Sequence, residues 1–226
     1  DRAYIFNMKL NENTHYLMYK KIAEYKKPEA QAQIPMMIVS ATIINDQRFL
    51  FFSPQNISYL IRPYINRNKG YMDNLSTDAV EYKRFFKDKG AENINFIDAL
   101  RANATYPYIM PAVYLPTIPE IKAIDAGIRE NSGFAVSTRF YSVFQDWINE
   151  NTSGVIFISI RVDNKLRDFN PKEKETYISE LLSPIGSIFN NFILLQDYNS
   201  DVSLAYLENA STTDINVLNF NTSGFC

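Results

Sequence analysis

The segment MMIVSATIINDQRFLFFS, Met36 to Ser53, sets the class of fold. Its first half is apolar and rich in β-branched residues, which is typical of a buried strand. Asn45 and Asp46 then favour a turn, because their short side chains hydrogen-bond the neighbouring backbone. The run RFLFFS predicts a returning strand. The segment therefore predicts two joined strands inside a sheet.

Helices and strands alternate on both sides of this segment. GVIFISIRV, residues 154–162, predicts a second buried strand, and YIMPAVYLPTIPEIKAI, residues 108–124, is extended with prolines that bar long ladders. Helical patterns cover residues 12–27, 77–90, 93–107, 134–151 and 171–196, with Pro28, Gly90 and Pro107 as stop signals for the first three and a break at Pro184 and Gly186 in the last. Such alternation predicts an α/β fold with a largely parallel sheet.

Composition excludes several classes of protein. The chain has 226 residues and a formal net charge of −2, which gives no electrostatic reason to bind nucleic acid. The single cysteine, Cys226, cannot form an internal disulfide, and the single histidine, His15, argues against most zinc sites and against a Ser-His-Asp triad. The longest apolar run, Ile34 to Ile44, is far shorter than the ~20 residues of a membrane span.

KAIDAGIRENSG, Lys122 to Gly133, carries the best candidate for chemistry. An acid, Asp125, follows an extended run and precedes the small residues Ala126 and Gly127, and functional groups of α/β proteins gather at such strand ends. Ala126 and Gly127 keep the turn thin, Gly127 can adopt a positive φ, and Asn131 suits a cap of the turn or of the next helix. By spacing alone, a plain capped strand-to-helix connection is the favoured interpretation of the pattern.

Three separated pieces resemble the patatin-like phospholipase family between about residues 35 and 160. They are the strand MMIVSATII with a threonine near its end, the helix and turn ALRANATYP from Ala99 to Pro107, and the DAG motif from Asp125 to Gly127 followed by Asn131. Asn103 stands where the family usually has serine, a position read here as structural. The resemblance implies a three-layer domain that hydrolyses lipid acyl esters with a Ser-Asp dyad, which needs no histidine.

The resemblance also implies roles for individual residues. Asp125 would be the dyad aspartate, carried by Ala126 and Gly127, and the supporting positions would be Asn131, Arg101 and Pro107, with Arg101 bracing its helix. No metal or cofactor would be required, and the substrate would be a phospholipid or another acyl ester. We also expect membrane-surface contact, in a bacterial cytoplasm or on a membrane, and no nucleic-acid partner.

The nucleophile that the family uses is missing from the 226 residues. No G-x-S-x-G motif occurs, and seven scattered glycines cannot form the glycine-rich oxyanion loop. We therefore expect the serine in a missing N-terminal part of the same protein, with residues 1–34 as a helical segment and loop, 35–165 as the C-terminal part of the catalytic domain, and 166–226 as a helical extension that continues beyond the chain. Two alternatives stay open: a non-catalytic interaction or ligand-binding module with this fold, and an unrelated sugar- or nucleotide-binding α/β domain.

Overall fold

The computed structural model describes residues 2–63, 77–106, 110–161 and 177–222. The chain divides into two compact units, Asp1–Arg129 and Glu130–Cys226, called here unit 1 and unit 2. This division follows compactness alone. The domain boundaries predicted at residues 34 and 165 rest on the resemblance and stay predictions.

Helices and strands alternate along the described chain, so the mixed α/β class is confirmed. The longer helices are α1 Arg2–Asn13, α2 Lys26–Ala30, α3 Tyr82–Phe85, α4 Phe96–Asn103, α5 Phe134–Asn151 and α6 Tyr177–Ala210. The strands are β1 Val39–Ile43, β2 Phe49–Phe52, β3 Ala79–Glu81, β4 Val113–Leu115, β5 Ile121–Ile124, β6 Val155–Arg161 and β7 Ile215–Asn221.

The predicted strand pair Met36–Ser53 is confirmed and lies at the centre of unit 1. β1 and β2 pair antiparallel, with Val39 opposite Phe52 and Thr42 opposite Phe49. All four residues of β2 are buried, as is the second half of β1. Because the apolar side chains of both strands are buried, this hairpin forms the central part of the unit 1 sheet.

The unit 1 sheet has the strand order β3-β2-β1-β5-β4 and is mixed rather than largely parallel. Of the pairings among its described strands, β2–β3 is parallel, whereas β1–β2, β1–β5 and β4–β5 are antiparallel. For β1–β2 and β4–β5 the reason is connection length, because both pairs are joined by short turns and a parallel pair needs a long crossover. The patatin-like three-layer arrangement stays a prediction.

Helix α4 packs on β1 and β5 through small side chains, as its predicted pattern requires. Ala99 and Ala102 are fully buried and Ile97 almost so, which lets the helix backbone approach the sheet closely. Asn103 donates from Nδ2 to the carbonyl of Ser40 at 2.8 Å, so this position is structural, as predicted. These contacts fix the end of α4, from which the chain runs to Thr105.

Two predicted helices of unit 1 differ in the structure. The prediction of one helix over 12–27 is wrong, because α1 ends at Asn13 and His15 and Tyr16 adopt positive φ of 49° and 61°. Pro28 lies in the first turn of α2, where its missing N–H costs little. In the segment predicted as a helix from Thr77, residues Ala79–Glu81 form strand β3, because pairing with β2 overrides local helix propensity. Gly90 ends the segment as predicted, with a φ of 70°.

Unit 2 is a β-α-β arrangement together with α5. β6 and β7 pair parallel in register from Val155↔Ile215 to Arg161↔Asn221, so a parallel pair does exist here. Its core contains Tyr141, Phe157, Leu204 and Ile215. The helix α5 and strand β6 are confirmed. The break predicted at Pro184 is wrong, because α6 runs unbroken over 34 residues. The predicted helical extension also contains a strand, β7, which was not predicted from the sequence.

Candidate active site

Asp125 follows directly on β5, where the sequence analysis placed it. Ile124, the last residue of β5, lies opposite Thr42 in the β1–β5 pairing. The backbone N–H of Asp125 donates to the carbonyl of Thr105 at 3.0 Å, which ties the strand end to the segment after α4. The backbone of Asp125 is therefore fixed by the sheet on one side and by Thr105 on the other.

The carboxylate of Asp125 caps its own turn. Oδ1 accepts a hydrogen bond from the N–H of Gly127 at 2.7 Å, and the side chain is partly buried. Burial raises the pKa of this carboxyl above its usual range, and the Gly127 hydrogen bond opposes that shift only in part. A carboxylate with a raised pKa is a better proton acceptor than an ordinary aspartate.

The turn after Asp125 is a short 3-10 helix, Ala126–Ile128. Ala126 is buried, so a larger side chain has no room there. The positive φ expected for Gly127 is wrong, because the positive-φ glycines of the described chain are Gly90 and Gly133. A 3-10 helix uses negative φ at every residue, so the conformation at position 127 does not itself demand glycine.

Arg129 clamps this turn to the β1–β2 hairpin, and the sequence analysis missed it. Its guanidinium donates to the carbonyl of Gln47, forms an ion pair with Asp78 at 2.8 Å and lies 4.2 Å from the ring centroid of Phe49. Its partners come 51 to 82 residues earlier in the chain, so no local pattern could have indicated them. The clamp holds the turn that carries Asp125 on the sheet.

Two buried polar atoms belong to segments that adjoin the Asp125 strand end. Thr42 Oγ1 and Arg101 Nε are both buried, and neither has a hydrogen-bond partner among the described residues. The Arg101 carbonyl accepts a hydrogen bond from Thr105 Oγ1 at 2.6 Å, and this bond stabilises the end of α4. The bracing role expected of the Arg101 side chain stays a prediction. Pro107 lies outside the described residues.

Asn131 does not make the cap expected of it. It is exposed at the start of unit 2, while Glu130 provides the hydrogen bonds that precede α5. Glu130 Oε1 accepts from the N–H of Phe134 at 2.9 Å and from the hydroxyl of Ser132 at 2.5 Å. The longer glutamate side chain reaches back along the turn, where a direct N-cap is excluded because Gly133 occupies that position without a side chain.

Unit 2 has a small polar pocket of its own. Its lining includes Arg161, Asp197, Ser132 and Ser200. Arg161 and Asp197 neutralise each other in a partly buried ion pair, and Ser132 is already engaged by Glu130. Arg161, Asp197 and Ser132 are thus engaged by other groups of unit 2, and Asp201 also lines the pocket.

The described ranges contain neither a metal-binding cluster nor a membrane-spanning helix. No cluster of His, Cys, Asp and Glu among these residues could hold a metal ion. None of the described helices is long and apolar enough to cross a membrane. The Asp125 turn is thus the strongest candidate in the part of the chain that the structure describes.

Comparison with known proteins adds no relative: no protein-family model, no curated protein and no solved structure matches this chain.

Proposed function

We propose that the chain supplies the acid of a patatin-like Ser-Asp dyad in an acyl-ester hydrolase. The observation that carries the proposal is the state of Asp125: a partly buried carboxylate at a strand end, with a raised pKa and a fixed backbone. Gly127 is its hydrogen-bond donor in the described chain and engages Oδ1 alone. A carboxylate has about four acceptor positions, so Asp125 retains capacity for a serine hydroxyl.

The chemistry follows from these properties. The serine oxygen attacks the acyl carbonyl carbon, and its proton passes to the Asp125 carboxylate. The ester C–O bond then breaks, and the leaving alcohol takes that proton from Asp125. Water hydrolyses the acyl-serine in the same way, giving its proton to Asp125, which returns it to serine. A raised pKa favours this role because it brings the acid closer to the pKa of the groups that exchange protons with it.

The substrate class rests on the family resemblance together with the apolar composition around the turn. A phospholipid or another long-chain acyl ester needs an apolar groove. The sequence before β5, YPYIMPAVY from residue 106 to 114, is rich in tyrosine and apolar residues, which suit such a groove. The serine would come from a polypeptide segment outside the 226 residues, because these contain no G-x-S-x-G motif. Membrane-surface contact belongs to the same proposal.

The test has two arms. The 226-residue chain, treated with an activated ester and a fluorophosphonate probe, should show neither turnover nor labelled serine, since the nucleophile and oxyanion loop normally supply most of the rate. A longer protein that includes an upstream G-x-S-x-G should hydrolyse esters, and Asp125→Asn should lower its turnover by about 10²–10⁴-fold without unfolding it.

Asp88→Asn is the matched control, because Asp88 is an exposed acid in unit 1 away from the turn. Its turnover should equal that of the wild type. Normal turnover in Asp125→Asn would remove Asp125 from the mechanism. Absence of any activity in a longer protein that carries the serine motif would favour the second candidate, a non-catalytic interaction module, which the missing nucleophile also supports.

A further inference from the structure

One face of the β6–β7 sheet in unit 2 is apolar and exposed. Along β6, Phe157 and Ser159 are buried, and the alternate residues point to the opposite, outer side. The exposed apolar residues of this outer face are Ile156, Ile158, Ile160, Leu218 and Phe220. Their exposed fractions run from 45% to 73%, which is high for large side chains that lie together on one surface.

The pairing register makes these residues one continuous patch. Ile158 lies opposite Leu218 and Ile160 lies opposite Phe220, with Asn216 completing the face opposite Ile156. Among the described residues, the central ones, Ile158, Ile160, Leu218 and Phe220, form an uncharged surface. At the edge of the patch, Asp214 Oδ2 accepts a hydrogen bond from Asn216 Nδ2 at 3.2 Å. Parallel strands are almost always covered on both faces, and in unit 2 the described chain covers only the face that carries Phe157.

We propose that the outer face of β6–β7 binds the same face of a second copy of this chain. An uncharged surface can meet itself without repulsion, whereas it offers nothing to an acidic or basic partner. A two-fold axis through Ile158 and Leu218 would join the two patches in an isologous contact, as in most homodimers. The proposal is independent of the Asp125 chemistry.

The size of the patch can be compared with the area that a specific interface needs. Five large side chains that are about half exposed present roughly 500 Å² per copy, or about 1,000 Å² for the pair. That area is at the lower limit for a specific interface. Weak, transient complexes have interfaces of this size, so we expect a dimer that dissociates in the micromolar range.

Sedimentation equilibrium of the full 226-residue chain tests the proposal between about 1 and 200 µM. The wild type should shift from monomer to dimer, and Ile158→Lys should weaken the dimer by more than about 30-fold, because it places a charge at the centre of both faces. Trp147→Lys is the matched control: it also replaces an apolar residue of unit 2, 60% exposed against 61% for Ile158, and should dimerise normally.

Crosslinking supplies a readout that stability does not affect. In a Cys226→Ser background, Ile158→Cys should form disulfide-linked dimers under mild oxidation, and Trp147→Cys should form far fewer. A wild type that stays monomeric at every concentration would overturn the proposal. So would equal dimerisation of the Ile158→Lys and control variants, or a monomer whose patch binds lipid vesicles.

Discussion

Asp125 offers a test that needs no substrate, because its ionisation must affect the stability of unit 1. Burial raises the pKa of the folded carboxyl above the usual aspartate value of about 3.9. The folded state then binds the proton more tightly than the unfolded state. The free energy of unfolding therefore falls as pH rises through the folded pKa.

Two substitutions separate this ionisation penalty from the capping hydrogen bond. Asp125→Asn keeps an oxygen for the N–H of Gly127 and removes the charge, and asparagine caps as well as aspartate does. Asp125→Ala removes both. At neutral pH we expect Asp125→Asn to be at least as stable as the wild type, and Asp125→Ala to be about 1 kcal/mol less stable than Asp125→Asn.

The pH dependence carries the sharpest expectation. The advantage of Asp125→Asn should be absent in acid, where the wild-type carboxyl is protonated in both states. It should grow as pH rises from the unfolded pKa of about 3.9 through the folded pKa, and it should be constant above that. The assay is urea unfolding followed by amide NMR signals of β1 and β2 between about pH 4 and pH 8. The single tryptophan, Trp147, lies in unit 2, so its fluorescence would not report on unit 1.

The opposite pH trend would refute the reasoning. If the wild type is more stable than Asp125→Asn at neutral pH and loses that advantage in acid, ionised Asp125 is stabilised by the fold. Asp125 would then be an ordinary structural cap whose folded pKa is lowered, and the argument for a role as base would fail.

Three further predictions concern residues outside the proposed dyad and are read by urea unfolding. Glu81→Ala should destabilise unit 1 by about 2–4 kcal/mol, because buried Glu81 accepts hydrogen bonds from Ile57 N–H and Ser58 Oγ. The control Glu120→Ala removes an exposed ion pair and should change stability by less than about 1 kcal/mol. Similar losses of stability in both variants would contradict the prediction. Asp197→Asn should cost unit 2 about 1–3 kcal/mol by leaving Arg161 partly buried without its counter-charge, and a neutral effect would show that water already screens the pair. Gly154→Ala should cost more than about 1 kcal/mol because the new Cβ would lie 2.9 Å from the carbonyl oxygen of Asp214, and unchanged stability would mean that the turn shifts freely.

The sequence predicted those elements whose signal is local. The β1–β2 hairpin and helix α5 follow from residue pattern and turn chemistry, and both formed where expected. Strand β3 was read as a helix because its stability comes from pairing with β2, about thirty residues earlier in the chain. The prediction of a largely parallel sheet in unit 1 was wrong for the same reason, because the direction of a strand depends on which strands pair and not on the composition of any one of them.

In the candidate site too, the features with a local sequence signal were predicted and those that depend on distant contacts were not. The position of Asp125 was predictable, because an acid between an apolar run and a turn of small residues is a local pattern. The clamp by Arg129 and the raised pKa of Asp125 were not, because both depend on contacts formed only in the folded chain. The cap expected at Asn131 shows the converse: the local pattern indicated Asn131, and the folded chain uses its neighbour Glu130.

A comparison of the buried carboxylates in unit 1 explains why Asp125 stands apart. Glu81 is deeply buried, and both of its oxygens accept hydrogen bonds from the segment around Ile57, so its acceptors are committed to the fold. Glu29 lies in the short helix α2 and accepts the N–H of Met37, just before β1, through Oε1, while its buried Oε2 has no hydrogen-bond partner among the described residues. Asp125 combines a strand-end position, a raised pKa and a hydrogen bond from its own turn to one oxygen. A proton acceptor must keep an oxygen available and must not be strongly stabilised as an anion, so these three properties are the ones that the proposed role of Asp125 as base requires.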